Sequence, residues 1–190
     1  KWIVERAHAV GGVVYHKVTE RKWGAKAMEA GVDGLIAIND RAGGHAGHLS
    51  AEKLLEDLQD FGVPVICGGG IGDETDFVRA LRMGYAGIMM ATRFIATKEC
   101  NAHDDYKKAI VVSDEKDIVL TERVTGVPLS VIRTEYVERV GLKASFITRW
   151  MLQHRKLKKL MRMIYALRSL RQLKKSSLKG KMSSKDYYQA

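Results

Sequence analysis

Cysteine is scarce in this sequence, and that scarcity limits the chemistry that it can support. Its two cysteines, Cys67 and Cys100, lie far apart and outside any CxxC pattern. We therefore expect neither a disulfide framework nor a bound metal. No run of about 18 apolar residues occurs, which argues against a membrane span. No signal-peptide pattern follows Lys1, and a reducing environment fits the free cysteines, so we predict a cytoplasmic protein.

Acidic residues are missing from one long stretch near the C-terminus. Residues 149–181 hold 12 basic residues and no acidic ones, whereas residues 1–148 hold 19 basic and 21 acidic residues. The net charge of +10 is therefore a property of a basic tail, and the body of the chain is close to neutral.

The tail has the pattern of an amphipathic helix over residues 149–175. Its apolar residues recur at spacings of three and four and are Leu152, Leu157, Leu160, Met161, Ile164, Leu167, Leu170 and Leu173. Such a helix packs its stripe against the body, lies weakly on an anionic membrane, or contacts nucleic-acid phosphates. We favour packing, with membrane contact next. Aromatic residues are too few to suggest base stacking, which argues against nucleic acid.

The first half of the chain alternates short β-rich runs with helical patterns. The runs occupy residues 13–17, 34–38, 63–67 and 86–90. Strands of four to six apolar residues that alternate with helices indicate parallel βαβ units. Because each strand is apolar throughout, both faces of the sheet should be covered. A doubly wound sheet and a (β/α)8 barrel both satisfy this pattern.

The helices between these strands have recognisable ends. One is predicted over residues 19–30, and a second begins after the N-cap Ser50 and ends at Gly62. A third begins near Asp73 and is expected to bury Phe77, Val78 and Leu81. A further short helix is predicted over residues 103–111.

Three loops at the carboxyl ends of predicted strands carry the functional signal, because active sites of parallel α/β folds form there. In residues 41–47, small residues flank His45, an imidazole able to accept a proton near neutral pH. Residues 68–73 form a glycine loop before a helix, as in phosphate sites, but no Walker sequence follows. Residues 89–94 complete a two-loop phosphate cup through Thr92. The alternatives are a flexible glycine loop with an incidental histidine and an ordinary βα turn.

These motifs, in this order, resemble those of the nitronate monooxygenases, once called 2-nitropropane dioxygenases. The resemblance rests on Ala42-Gly43-Gly44-His45-Ala46-Gly47, on Pro64-Val65-Ile66-Cys67-Gly68-Gly69-Gly70-Ile71, on Ala91-Thr92-Arg93-Phe94, and on Tyr15-His16-Lys17-Val18-Thr19. It covers roughly residues 8–140. FMN-dependent enoyl-acyl-carrier-protein reductases share the histidine and phosphate loops. Ile38, Asn39, Arg41 and Ala91 depart from residues common in the family.

The resemblance implies an FMN-dependent oxidoreductase that converts alkyl nitronates, with O2, into a carbonyl compound and nitrite. His45 matches the catalytic base. The positions that match cofactor-binding residues are Lys17, Gly43, Gly44, Gly69, Gly70, Ala91 and Thr92. Lys17 would face the flavin and stabilise negative charge on the reduced ring. The alternative for Lys17 is a solvated surface lysine.

On the family's fold, the four strands correspond to strands 5 to 8 of the barrel. We therefore expect an α/β fold that is a partial TIM barrel of about four parallel βα units, with a basic helical tail. Its domains would be residues 1–112, a post-barrel segment over 113–148, and the tail over 149–190. Expected partners are the nitronate or nitroalkane, O2, the missing N-terminal half and a second copy in a homodimer. The alternatives are an enoyl-thioester reductase that uses NAD(P)H, and a non-enzymatic basic fragment that binds membranes or nucleic acid.

Overall fold

The computed structural model describes residues 1–123 and 128–143, together with Leu157, Met163 and Leu167. The chain divides into two compact units. The first comprises residues 1–42 and 46–91, and the second comprises residues 43–45 and those from Thr92 onward. The elements of the first unit are α1 Trp2–His8, β1 Tyr15–Val18, α2 Arg21–Glu29, β2 Gly34–Ile38, α3 Ala51–Leu58, a 3-10 turn Gln59–Phe61, β3 Val65–Gly68, α4 Glu74–Met83 and β4 Gly87–Met89.

The four strands of the first unit form one parallel sheet in the order β1-β2-β3-β4. The predicted parallel βα arrangement is confirmed. Each strand lies beside the next strand along the chain, so the order never reverses within the described residues. A doubly wound sheet contains such a reversal, whereas a barrel does not.

All the helices between these strands pack on the same face of the sheet. Val18, Ala37 and Cys67 occupy one row of the sheet and are buried. They share a single core with Ala27 of α2, Leu54, Leu55 and Leu58 of α3, and Ala80 of α4. Right-handed crossovers between consecutive strands place their helices on one side, which explains this one-sided core.

The opposite face of the sheet carries apolar side chains that remain partly open. Successive residues of a strand point to opposite faces, so the row Lys17, Ile36 and Ile66 faces away from the helices. Ile36 and Ile66 are half-buried, and Lys17 is exposed. Ile38, on the same face of β2, is buried, so the expectation that both faces are covered is met only in part within the described residues.

Side-chain caps fix the starts of α3 and α4. The Ser50 hydroxyl accepts a hydrogen bond from the Lys53 amide at 3.3 Å, as predicted for the N-cap. The Asp73 carboxylate accepts from the amides of Thr75 and Asp76 at 2.9 and 3.0 Å. These bonds satisfy amides that lack a partner within the first turn of a helix.

The predicted buried face of α4 is wrong. Phe77, Val78 and Leu81 are 40, 43 and 43 % exposed, and the core-facing residue is Ala80, at 1 %. The small Ala80 side chain lets α4 approach the sheet closely, which turns the larger side chains outward. Because α4 packs beside the outermost strand β4, no further helix of this sheet covers its other side within the described residues.

The second unit contains a hairpin that the sequence did not predict. Its elements are α5 Thr92–Ile95, α6 Asp104–Val112, a 3-10 turn Glu115–Asp117, β5 Ile118–Thr121, β6 Leu129–Ile132 and α7 Glu135–Val140. Strands β5 and β6 pair antiparallel. Leu129 and Val131 of β6 and Val137 of α7 form a small separate core. The short helix predicted over residues 103–111 is confirmed by α6.

The predicted basic helix over residues 149–175 lies outside the described residues, apart from three isolated positions. Its three interpretations therefore stay predictions. Among the helices that the structure describes, none combines the length and apolar character needed to cross a bilayer.

Candidate functional site

The glycine loop after β3 has a backbone shape that only glycine accommodates. Gly69 and Gly70 have φ angles of 123° and 69°, a region that side chains with a Cβ rarely adopt. A Cβ at Gly69 would lie 2.2 Å from Asn39 Oδ1 and 2.6 Å from the Ala42 nitrogen. The loop is thus pressed against the end of β2, and the Gly70 amide donates to the Arg41 carbonyl at 3.1 Å.

Asn39, the first residue after β2, makes the contacts that join these two loops. Its side chain is buried, with 1 % of the residue exposed. Its Oδ1 accepts from the Arg41 amide at 2.9 Å, and its Nδ2 donates to the Gly69 carbonyl at 3.0 Å. In the sequence, Asn39 stands out only as a departure from the residue common in the family it resembles. The available signal was an amide-bearing residue at the end of a buried strand, where polar groups need partners.

Both ends of the histidine loop are hydrogen-bonded to the same carbonyl oxygen. The amides of Ala42 and Gly47 both donate to the Asn39 carbonyl, at 3.3 and 2.9 Å. His45 lies between these two anchors in the sequence and is exposed. The structure thus presents the His45 imidazole at the surface, within a short segment fixed at both ends.

Within the second unit, residues 43–45 pair with one strand of the hairpin through a single bridge. The Gly44 carbonyl accepts a hydrogen bond from the Ser130 amide at 2.7 Å, and these residues form an isolated antiparallel bridge. Ser130 lies in β6 and is 4 % exposed. The segment after residue 112 thus holds the backbone of the histidine loop, a role with no local sequence signal.

The remaining predicted residues lie at ends of strands or beginnings of helices. Lys17 is the third residue of β1, and Ala91 follows β4; both are exposed. Thr92 is half-buried and opens α5. In the first unit, the carboxyl edge of one parallel sheet therefore brings together Lys17, Gly69, Gly70 and Ala91. Gly43, Gly44, His45 and Thr92 belong to the second unit.

A charged cavity of about 190 Å³ lies on the helix side of the glycine loop. Its lining includes Arg41 and Arg79, but also Glu52 and Asp76. The Asp76 carboxylate accepts from Arg79 Nη2 at 2.7 Å. A hydrogen bond from its own backbone amide, followed by one from Ser50, lowers the pKa of Glu52. Carboxylates offset the guanidinium charges here, so the cavity does not have the character of an anion site.

Cys67 also borders this cavity, but burial raises the pKa of its thiol. A neutral thiol is a poor nucleophile, so Cys67 contributes packing rather than covalent chemistry. Within residues 1–123 and 128–143, no group of three or more His, Cys, Asp or Glu side chains is arranged to hold a metal ion.

Comparison with known proteins places these features in one family. The model of the family described as nitronate monooxygenase matches residues 1–181. A probable nitronate monooxygenase of Staphylococcus saprophyticus is 33% identical over 124 residues, which cover 59% of this chain and 35% of that protein. The (3aS,4S,5R,7aS)-5-hydroxy-7a-methyl-1-oxo-octahydro-1H-indene-4-carboxyl-CoA dehydrogenase of Mycobacterium tuberculosis is 33% identical over 142 residues, covering 73% of this chain and 40% of that protein.

A solved structure shares the fold over nearly the whole chain. FabK from Thermotoga maritima matches with a TM-score of 0.73 and 24% identity, covering 98% of this chain and 56% of that one. The chain spans about two fifths of the length of the curated relatives that it matches. Because the family match extends over residues 1–181, and because the glycine and histidine loops follow parallel strands as the motifs of that family do, this chain belongs to the nitronate monooxygenase family.

Proposed function

We propose that this chain supplies the C-terminal half of an FMN-dependent (β/α)8 barrel that oxidises alkyl nitronates, with O2, to a carbonyl compound and nitrite. The observation that carries the proposal is the glycine loop at the carboxyl edge of a parallel sheet whose strand order never reverses. In barrels, phosphate groups of cofactors bind to loops at this edge.

The residues of the first unit fit a flavin phosphate and a flat apolar ring. Gly69 and Gly70 follow β3 with positive φ angles, and a glycine loop between a strand and a helix start is typical of phosphate sites. The sheet face opposite the helices carries Ile36 and Ile66, half-buried and apolar. Ala91, which follows β4 at the same edge of the sheet, would contribute a further backbone contact to the phosphate. When bound, FMN supplies the electron transfer that the side chains of this chain cannot perform.

The protein residues have two tasks in the proposed reaction. The exposed imidazole of His45 would remove the acidic carbon-bound proton of a neutral nitroalkane and so deliver the nitronate. The ammonium group of Lys17, at the end of β1, would stabilise the negative charge of a reduced flavin ring. Neither task requires a metal ligand or a covalent intermediate on the protein.

Four more βα units are part of this proposal. In the described residues, β1 pairs only with β2 and β4 only with β3, which leaves both outer edges of the sheet open. A barrel closes by pairing such edges with further strands. We expect the complete reading frame to encode these strands upstream, and the chain alone to bind FMN weakly. A purified 190-residue chain that is monomeric, cooperatively folded and yellow would overturn this part of the proposal.

Nitrite release tests the reaction itself. The product of the complete reading frame should release nitrite from nitroethane under air, without added nicotinamide cofactor. Colorimetric detection of nitrite, compared with the same protein stripped of flavin, measures this directly. Absence of nitrite from flavin-loaded protein would exclude nitronate oxidation.

A thioester oxidoreductase is the second candidate, favoured by one comparison. The Mycobacterium tuberculosis relative, at 33% identity, is named as a carboxyl-CoA dehydrogenase. An enoyl-thioester reductase would consume NADPH in the presence of crotonyl-CoA, and its flavin would be reduced by NADPH. Turnover of crotonyl-CoA without nitrite release would favour this candidate over nitronate oxidation.

A further inference from the structure

We infer that Asn39 is a positioning residue that fixes the histidine loop to the glycine loop of the neighbouring strand. The inference deepens the proposed function, since it assigns a support for the loop that carries the base His45. It rests on hydrogen bonds that converge on one buried side chain at the end of β2.

The side chain of Asn39 connects the two loops directly. Its Oδ1 accepts from the Arg41 amide at 2.9 Å, at the start of the histidine loop, and its Nδ2 donates to the Gly69 carbonyl at 3.0 Å. An amide is suited to this position because it supplies one donor and one acceptor at the same time. Aspartate keeps the shape and the acceptor but, when ionised, has no donor for Gly69.

The backbone of Asn39 closes the histidine loop at its base. Its carbonyl accepts from both Ala42 and Gly47, and its own amide donates to the Gly68 carbonyl at 3.0 Å. Residues 42 and 47 are therefore fixed to the same point, so the segment between them is short and constrained. Any displacement of Asn39 would move both ends of the loop that carries His45.

The absence of a side chain at Gly69 leaves room for the Asn39 amide. A Cβ on Gly69 would lie only 2.2 Å from Asn39 Oδ1, so the Asn39 amide occupies the space that a side chain on Gly69 would need. Asn39 is 1 % exposed, and a buried polar group that loses its partner carries a substantial cost. The side chain of Asn39 therefore needs a glycine at position 69, and its hydrogen bonds link the glycine loop to the start of the histidine loop.

Hydrogen exchange of the flavin-free chain tests the coupling without depending on any activity. In Asn39→Asp, amides of residues 40–47 and 68–72 should exchange about tenfold faster, the effect of losing roughly one buried hydrogen bond. Residues 51–58 of α3 serve as the internal reference and should keep their protection. The matched control is Asn101→Asp, because Asn101 is exposed and the substitution makes the same change of charge.

Equal exchange in both loops of Asn39→Asp and the control would overturn the inference. If Asn39→Asp also loses protection in α3, the same comparison is made with Asn39→Ser, which keeps a short hydrogen-bonding side chain without reach to Gly69. Faster exchange confined to the two loops in that variant supports the inference, and unchanged exchange there overturns it.

A second measurement, on the complete flavin-loaded protein, addresses the positioning of His45. Asn39→Asp should lower kcat/KM for a neutral nitroalkane about tenfold, and for the preformed nitronate much less, because only the neutral substrate needs the base. Equal losses on both substrates would contradict a positioning role. Absence of nitrite from the wild-type protein would instead reject the proposed function, and the hydrogen-exchange result would still decide the role of Asn39.

Discussion

His45 is the residue on which the proposed proton transfer depends. The imidazole is exposed, and its loop is closed at both ends on the Asn39 carbonyl. His45→Ala should slow oxidation of a neutral nitroalkane by about 10²- to 10⁴-fold, the usual contribution of a general base. Preformed nitronate needs no deprotonation and should be oxidised at nearly the wild-type rate. Steady-state nitrite release with both substrates measures the difference, and equal rates in variant and wild type would remove His45 from this role.

Gly69 is a residue whose substitution should destabilise the fold sharply. Gly69→Ala introduces a Cβ into a backbone with φ of 123° and against Asn39 and Ala42. We expect a loss of roughly 1–3 kcal/mol from backbone strain, with the steric clash adding to it. Gly62→Ala is the control, because Gly62 also has positive φ, 70°, but nothing within 4 Å of its Cβ position. Urea unfolding of both variants compares them; equal midpoints would contradict the clash.

Asp33 connects the N-terminal helix to the sheet in a pH-dependent way. Its Oδ2 accepts from His8 Nε2 at 2.9 Å and from the Val14 amide at 2.6 Å. The bond with His8, and then that with Val14, lowers the pKa of this carboxyl below its usual 3.8. A lowered folded-state pKa stabilises the fold above the unfolded value, and the stabilisation is lost as pH falls through the folded value.

The thermal midpoint of wild type should therefore fall more steeply between pH 5 and about pH 3 than that of Asp33→Asn, which cannot ionise. Thermal unfolding followed by circular dichroism measures both slopes. Asp40→Asn, which removes the same charge from an exposed position, is the control. Parallel curves for wild type and Asp33→Asn would show that the carboxylate contributes nothing to acid sensitivity.

The sequence identified some of the candidate-site residues and missed others for a physical reason. Gly69, Gly70 and His45 stand in local patterns of small residues at strand ends, which are visible in one dimension. The roles of Asn39 and Ser130 arise from contacts with residues about 30 and 86 positions away, Gly69 and Gly44. Nothing in the residues around Ser130 indicates that its amide binds the histidine loop.

At the scale of elements, the cap of α4 sets how the glycine loop enters its helix. Asp73→Ala removes the acceptor for the amides of Thr75 and Asp76 and should cost about 0.5–2 kcal/mol. Asp73→Asn keeps a side-chain oxygen in the same place and should retain most of the stability. Urea midpoints of the two variants test this. Equal destabilisation by both would show that charge at the helix start, rather than the hydrogen bond, is what matters.

The strands and caps of the first unit could be predicted because their signals are local. The four apolar runs became β1 to β4, and Ser50 caps α3 as expected. The buried face of α4 could not be inferred in the same way, because spacing alone does not show that Ala80 sits closest to the sheet. The hairpin β5–β6 was missed because it lies outside the alternation of strands and helices that marked β1 to β4, and short apolar runs do not by themselves reveal their pairing.

At the scale of the molecule, the sheet order favours one of the two fold classes that the sequence allowed, the barrel. Consecutive pairing of β1 to β4, with all their helices in one core, is the arrangement of a barrel segment. Pairing order is a long-range property, so periodicity could not determine it. Within the part of the chain that the structure describes, the outer edges of the sheet stay unpaired and Ile36 and Ile66 on the other face are half-buried, which fits our proposal that further strands complete the barrel.

Anaerobic reduction of bound flavin tests the central claim of nitronate oxidation most directly. The complete flavin-loaded protein is mixed with the nitronate of nitroethane in the absence of O2. The visible absorbance band of the oxidised flavin, at about 450 nm, is then followed. Our account predicts that the nitronate alone bleaches this band and that oxygen restores it with release of nitrite. A band that stays unchanged with nitronate, yet bleaches with NADPH, would contradict the account.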